Sequence, residues 1–143
     1  MPRARPSLAI AACLLLLPAL AAAETVRFHC GMNGANEVPP HQTAGTGTVD
    51  ATLDTTTRML HYTVAWQNLS GPATMAHFHG PAAPGANAAI VVNLGKDPTS
   101  PVIGDTTLTE EQATQLLAGQ WYVNVHTAAN PPGEIRCQVT RTP

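Results

Sequence analysis

Leu60, Tyr62, Val64 and Trp66 alternate with His61, Thr63 and Ala65, a period of two that belongs to a β-strand with one buried face. This run lies inside residues 58–67, and seven further stretches read as strands: 25–30, 45–53, 74–80, 89–94, 102–107, 121–126 and 134–140. Most carry β-branched or aromatic residues, and Gly, Pro, Asn or Asp punctuates the gaps. One segment follows another rule. Thr109 with Gln112 three residues on makes a capping box, Leu116 and Leu117 supply an apolar contact, and Gly119 supplies a stop. Eight strands and one short helix predict an all-β fold, an antiparallel β-sandwich with Greek-key connections. No internal repeat or linker divides it, and residues 81–87 and 130–133 read as exposed loops.

The N-terminal residues obey neither period. Arg3 and Arg5 precede an apolar run at 8–20, broken by Pro18 and followed by Ala21-Ala22-Ala23. That is the layout of a cleaved secretory signal, so residues 1–23 are expected to leave and residues 24–143 to form one domain, periplasmic or secreted. No other stretch approaches the roughly 20 apolar residues that span a bilayer, so the protein is not expected to span a membrane. Charged residues make up 11% of the chain, well under the roughly 25% usual for globular proteins. With Lys+Arg at 7 against Asp+Glu at 9, there is no basic excess for a nucleic-acid backbone. No run of like charge suggests an acidic tail or a polybasic membrane patch.

Export would also change the cysteine count. Cys13 departs with the signal, leaving Cys30 and Cys137, an even pair that an oxidising compartment turns into a disulfide. The alternative makes Cys30 a metal thiolate beside His29 and Met32.

The histidines carry the sharpest chemical signal. Met75, His77 and His79 are each two residues apart, so on a strand they share one face while Ala76 and Phe78 take the other. His126 closes a strongly β-prone run and offers a third nitrogen if its strand lies alongside. Three imidazoles suit copper, zinc or nickel, and a thioether from Met75 favours Cu(I). For further ligands the sequence offers Glu37, His41 and Glu134, although Glu37 serves equally well as a buried ion-pair partner of Arg136. His29 and His61 read as ordinary sheet residues. The competing account makes His77 and His79 a hydrogen-bonded pair at the edge of a sheet, and His126 a structural histidine.

Other chemistry is scarce. There is no nucleophile elbow, His-Glu-x-x-His helix, phosphate loop or dinucleotide fingerprint. Ser70 and Ser100 stand in loops without a histidine near in sequence, and Glu110-Glu111 complements the dipole of the helix N-terminus. Asn68-Leu69-Ser70 matches a glycosylation sequon. No catalytic residue or hydrolytic activity is expected.

Four blocks resemble the CHRD domain in order: Asn36-Glu37-Val38-Pro39-Pro40; Ala76-His77-Phe78-His79-Gly80-Pro81; Tyr122-Val123-Asn124-Val125-His126-Thr127; and Gly133-Glu134-Ile135-Arg136. The family is named for repeats in chordin and also occurs as small exported bacterial proteins, so the resemblance implies a common domain fold over about residues 25–139. More faintly, His77-Phe78-His79 and Val123-Asn124-Val125-His126 are similar to copper-binding strands of copper–zinc superoxide dismutases. That likeness implies a superoxide-dismutase-like sandwich, copper ligands at His77, His79 and His126, and an anion-guiding role for Arg136. No histidine lies between His79 and His126, so the bridging and zinc ligands are missing and dismutase activity is not implied.

Two functions from different classes follow. The first is an exported protein whose partner is a metal ion, copper before zinc, which it buffers, carries or senses, with at most a weak redox activity. The second is a non-enzymatic interaction or structural module of the cell envelope, with an unidentified envelope protein as partner and no metal.

Overall fold

The computed structural model describes residues 24–143; the expected signal peptide at 1–23 lies outside the described residues. Among the described residues nine strands form: β1 (Thr25–Asn33), β2 (Thr46–Asp54), β3 (Met59–Gln67), β4 (Ala73–His79), β5 (Ile90–Lys96), β6 (Val102–Thr107), β7 (Tyr122–Thr127), β8 (Ile135–Gln138) and β9 (Thr140–Arg141). One antiparallel sheet runs in the order β5-β4-β7-β8-β1-β2-β3-β6, with β9 added on β1, and curls into a nearly closed, barrel-like sandwich. Hairpins join neighbours such as β1–β2 and β7–β8, while β4–β7, β1–β8 and β3–β6 require the longer crossings of a Greek key.

Each expected strand is present, with two differences. The first extends to Asn33, where the Asn33 side chain accepts from Asn36 N–H and starts a 3-10 turn over Gly34–Asn36. The last is split by Val139, whose amide donates to Trp121 O while its side chain enters the core, leaving β8 and the short β9. Helix α1 (Glu110–Leu117) forms with the full capping box between Thr109 and Gln112. It brings Ala113 and Leu116 against the core, and Gly119 at φ +71 ends it in a backbone conformation that favours glycine.

The core is a single apolar cluster between the inward faces, built around Phe28, Leu53, Leu60, Val64, Phe78, Trp121, Val123 and Ile135. Each such side chain withdrawn from water is worth about 1.5–3 kcal/mol before entropy is counted. Trp121 also dictates a glycine. A Cβ on Gly80 would run into the indole ring, so the chain can leave β4 beneath Trp121 only with no side chain there.

The outward face is not uniform. β6 alternates between half-buried and exposed residues, as a strand with one wet side should. β7 is buried at every position. Two loops make the difference by folding over β4, β7 and β8. Residues 80–89 are tied down by Gly80 N–H to Ala89 O and Ala82 N–H to Gln120 O, and the 127–134 turn by Gly133 N–H to Asn130 O and Glu134 N–H to Val125 O. The outer surfaces of both loops are exposed, as expected, but their inner carbonyls face a polar layer on the sheet.

Cys30 and Cys137 form a disulfide between β1 and β8, which closes the thiolate alternative for Cys30. Among the described residues, no helix is long and apolar enough to cross a membrane. The cross-link spans 107 positions, and constraining an unfolded loop of that length contributes about 4–5 kcal/mol in the chain-entropy model. Replacing both cysteines, Cys30→Ser with Cys137→Ser, is expected to lower the unfolding free energy by about that amount in a urea titration.

Candidate metal centre

The site grows out of the pairing of β4 with β7. Met75 stands opposite His126, His77 opposite Asn124, and His79 opposite Tyr122. Because Phe78 and Ala76 point into the core with Val123 and Val125, the alternating residues of both strands face outward together. On an open sheet they would be wet. Under the two loops His77, His79 and His126 are all buried.

One nitrogen from each of the three histidines lies within 4.8 Å of the others, and among the described residues this is the one such grouping of His, Cys, Asp or Glu side chains. The rings are held from behind. His126 Nδ1 is 2.8 Å from Pro131 O, and His79 Nδ1 is 3.0 Å from Ala88 O. A carbonyl can only accept, so each Nδ1 carries the proton in the neutral ring and Nε2 is left with its lone pair. Metal-binding histidines are prepared in this way by their outer partners. His77 Nδ1 lies 3.2 Å from His126 Nε2 and completes the group.

Burial keeps all three rings from taking up protons. His77 falls to about 4, chiefly through burial and then through repulsion from His126 and His79. His79 and His126 are also lowered, again mainly by burial. The cluster therefore keeps its lone pairs available in neutral solution.

Two further residues belong to this layer and were not singled out from the sequence. Tyr122 stacks on His79, with centroids 4.7 Å apart and planes 1° from parallel. Asn124 places Oδ1 3.0 Å from His79 Nε2. A signal was available: Tyr122, Asn124 and His126 alternate with Val123 and Val125, placing three polar-tipped residues on one face of an otherwise apolar strand.

The remaining candidates lie elsewhere. Met75 shares the histidine face but is 42% exposed, at its solvent edge. His41 sits in a loop beside Gly34, with its Nε2 buried and unpartnered, away from the triad. Glu37 does not form the expected ion pair. Arg136 instead donates to Asn87 Oδ1 at 2.9 Å and Ala86 O at 2.6 Å, and lies 3.4 Å above the Tyr122 ring. Being only 2% exposed, Arg136 cannot present itself to anions in solution, which corrects the guiding role implied by the dismutase likeness. Burial raises Glu37 to about 7, against the pull of Arg136, the Val38 amide and Asn124.

Glu134 is not grouped with the histidines either. Its Oε1 accepts from Thr43 Oγ1 at 2.6 Å and Ser70 N–H at 2.8 Å, and its Oε2 from Ser70 Oγ at 2.5 Å and Thr127 Oγ1 at 2.7 Å. Burial alone would raise its pKa, but these hydrogen bonds outweigh burial and hold the carboxyl at about 2. His29 and His61 are exposed sheet residues, as expected, with His29 Nδ1 2.8 Å from Asp50 Oδ1.

A family model, that of the CHRD domain, matches residues 28–139. No curated protein and no solved structure matches the chain, so the likeness to copper–zinc superoxide dismutases finds no support.

Glu134 has a folded pKa of about 2 against an ordinary 4.5, so the unfolded chain binds more protons between those values. Its stabilisation is complete above pH 4.5 and is lost as pH falls toward 2. Glu37, raised from 4.5 to about 7, has the opposite sign and opposes stability as pH rises through that window. Glu134→Gln is expected to cost about 2–3 kcal/mol at neutral pH and to flatten the loss of stability below pH 4.5. Urea midpoints measured from pH 2.5 to 7 check both.

Proposed function

The chain belongs to the CHRD family, and on that premise we propose that this domain binds a single transition-metal ion, copper before zinc, on His77, His79 and His126. The observation that carries the reading is the convergence of three buried imidazole nitrogens within 4.8 Å, with two rings anchored through Nδ1 on backbone carbonyls. Neutral imidazoles suit copper, zinc and nickel, and copper stands at the top of the affinity order for divalent ions.

The chemistry supports holding an ion rather than turning over a substrate. Among the described residues the hydroxyl groups of Ser70, Thr43 and Thr127 are engaged by Glu134 and so are not poised as nucleophiles. Buffering, carriage or sensing of the metal are the roles such a centre fills. We read residues 1–23 as a cleaved export signal and the domain as periplasmic or secreted. The Cys30–Cys137 disulfide supports this, since such bonds persist in oxidising compartments.

Elemental analysis of purified residues 24–143, after titration with Cu(I), Cu(II) and Zn(II) and desalting, tests the proposal. About one ion per chain is expected, with none retained by a folded His77→Ala/His79→Ala/His126→Ala variant. Absence of a stoichiometric ion from the wild-type protein would overturn it and leave the histidines as packing residues of the sheet.

A further inference from the structure

We propose that Asn124 is the fourth donor of the metal centre, supplying a neutral carbonyl oxygen, and that Glu37 is the positioning residue that fixes which end of the Asn124 amide faces the ion. The proposal rests on the metal-binding reading above and deepens it, turning three nitrogens into a set of three nitrogens and one oxygen.

Position is the first argument. Asn124 stands on the outward face of β7, directly opposite His77 in the register and two residues before His126, with Oδ1 3.0 Å from His79 Nε2. The amide is therefore adjacent to all three histidines in the weave of the sheet.

The second argument is a conflict of lone pairs. His79 Nδ1 faces Ala88 O and His79 Nε2 faces Asn124 Oδ1, both at 3.0 Å. Neither oxygen can donate, and a neutral imidazole has only one N–H. With that proton on Nδ1, two lone pairs point at each other across the remaining gap. A shared cation resolves the conflict. Two donors at 2.0–2.2 Å from one ion lie roughly 2.8–3.6 Å apart for bond angles from a right angle to tetrahedral. The His79–Asn124 separation of 3.0 Å and the His77–His126 separation of 3.2 Å both fall in that range.

The third argument fixes the amide. Asn124 Nδ2 donates to Pro132 O at 3.3 Å. On the same side lies Glu37 Oε1, buried and without a close partner. Gly133, at φ +140, is what lets the two approach, because a Cβ there would strike both Glu37 Oε1 and Asn124 Nδ2. An NH2 group flanked by a carbonyl and a carboxyl stays on that side, so the carbonyl oxygen is turned toward the histidines. A glutamine at position 37 would lose this preference, since its own amide offers either a donor or an acceptor.

An oxygen donor beside three imidazoles suits a borderline divalent ion better than Cu(I), so the site's ion is inferred to be Cu(II), with Zn(II) second.

Electron paramagnetic resonance of Cu(II)-loaded residues 24–143, with competition titrations, tests the proposal. The wild type is expected to give a three-nitrogen, one-oxygen signature. Asn124→Leu, with its fold checked by circular dichroism and melting, should lose 10- to 100-fold in Cu(II) affinity and change its spectrum. Asn124→Asp keeps an oxygen and adds charge, so it should bind at least as tightly as wild type with shifted parameters. Glu37→Gln should weaken binding about 3- to 10-fold and give a mixed spectrum. A wild type that binds copper while folded Asn124→Leu keeps its affinity within threefold and an unchanged spectrum would overturn this inference and leave the three-histidine reading intact. If Asn124→Leu does not fold, an unchanged spectrum and affinity in Asn124→Asp overturns it equally. A wild type that binds no ion removes both.

Discussion

The Glu134 carboxylate is the staple on which the candidate site depends. It receives hydrogen bonds from Thr43, Thr127 and both the amide and hydroxyl of Ser70, and so joins three chain segments that are far apart in sequence. One of those segments is the turn after β7. That turn delivers Pro131 O to His126 and Pro132 O to Asn124. A buried charge with too few partners would be costly, and one that is fully engaged fixes its surroundings instead. Glu134 works through geometry: by holding the turn it fixes the rotation and tautomer of His126 without facing the triad.

The second constraint is that β4, β7 and β8 are covered on both sides. A strand buried on both faces is usually apolar throughout, yet the outer face here carries His77, His79, Asn124, His126 and Arg136. Such a layer is tolerable only if nearly every polar group has a partner. Arg136 meets this requirement by reaching the 80–89 loop at Ala86 and Asn87, and Gln138 does so by donating to Ala82 O and Gly119 O. Among the described residues the exceptions include Gln138 Oε1, which has no partner although its amide nitrogen has two, and His41 Nε2 away from the triad, and two further ones lie beside the histidines. Glu37 Oε1 has no close partner, and His79 faces two acceptors with one proton to give in its neutral form.

Much of this was legible in the sequence because it depends on local periodicity. Alternation placed the strands, the Thr109–Gln112 capping box placed the helix, and the two-residue spacing of His77 and His79 put them on one face. The joining of Cys30 to Cys137 followed from compartment and parity. What was not legible depends on long-range placement. Glu37 and Arg136 carry opposite charges, but the 80–89 loop offers the guanidinium nearer oxygens, and no local pattern announces that. Glu134 looked like a ligand because a buried carboxylate and a ligating one share the same residue type. The hydroxyls of Thr43 and Ser70 that engage it come from loops 91 and 64 residues away. Asn124 was passed over because an asparagine in a strand suggests no chemistry until its neighbours are known.

The blocks that carry the family resemblance acquire a physical meaning here. Glu37, His77 with His79, Asn124 with His126, and Glu134 with Arg136 come from four separate blocks, yet all serve the covered outer face of β4, β7 and β8 or its supporting turns. The apolar core could be built from many combinations of Val, Leu and Ile of similar volume. The polar layer has far less freedom, because each member uses a specific donor or acceptor against a specific backbone atom. Gly133 illustrates the limit, since even one methyl group there would separate Glu37 from Asn124. The residues that make this chain recognisable are thus those whose chemistry, rather than bulk, the fold requires, and they are assembled around the three histidines whose nitrogens lie within 4.8 Å of one another.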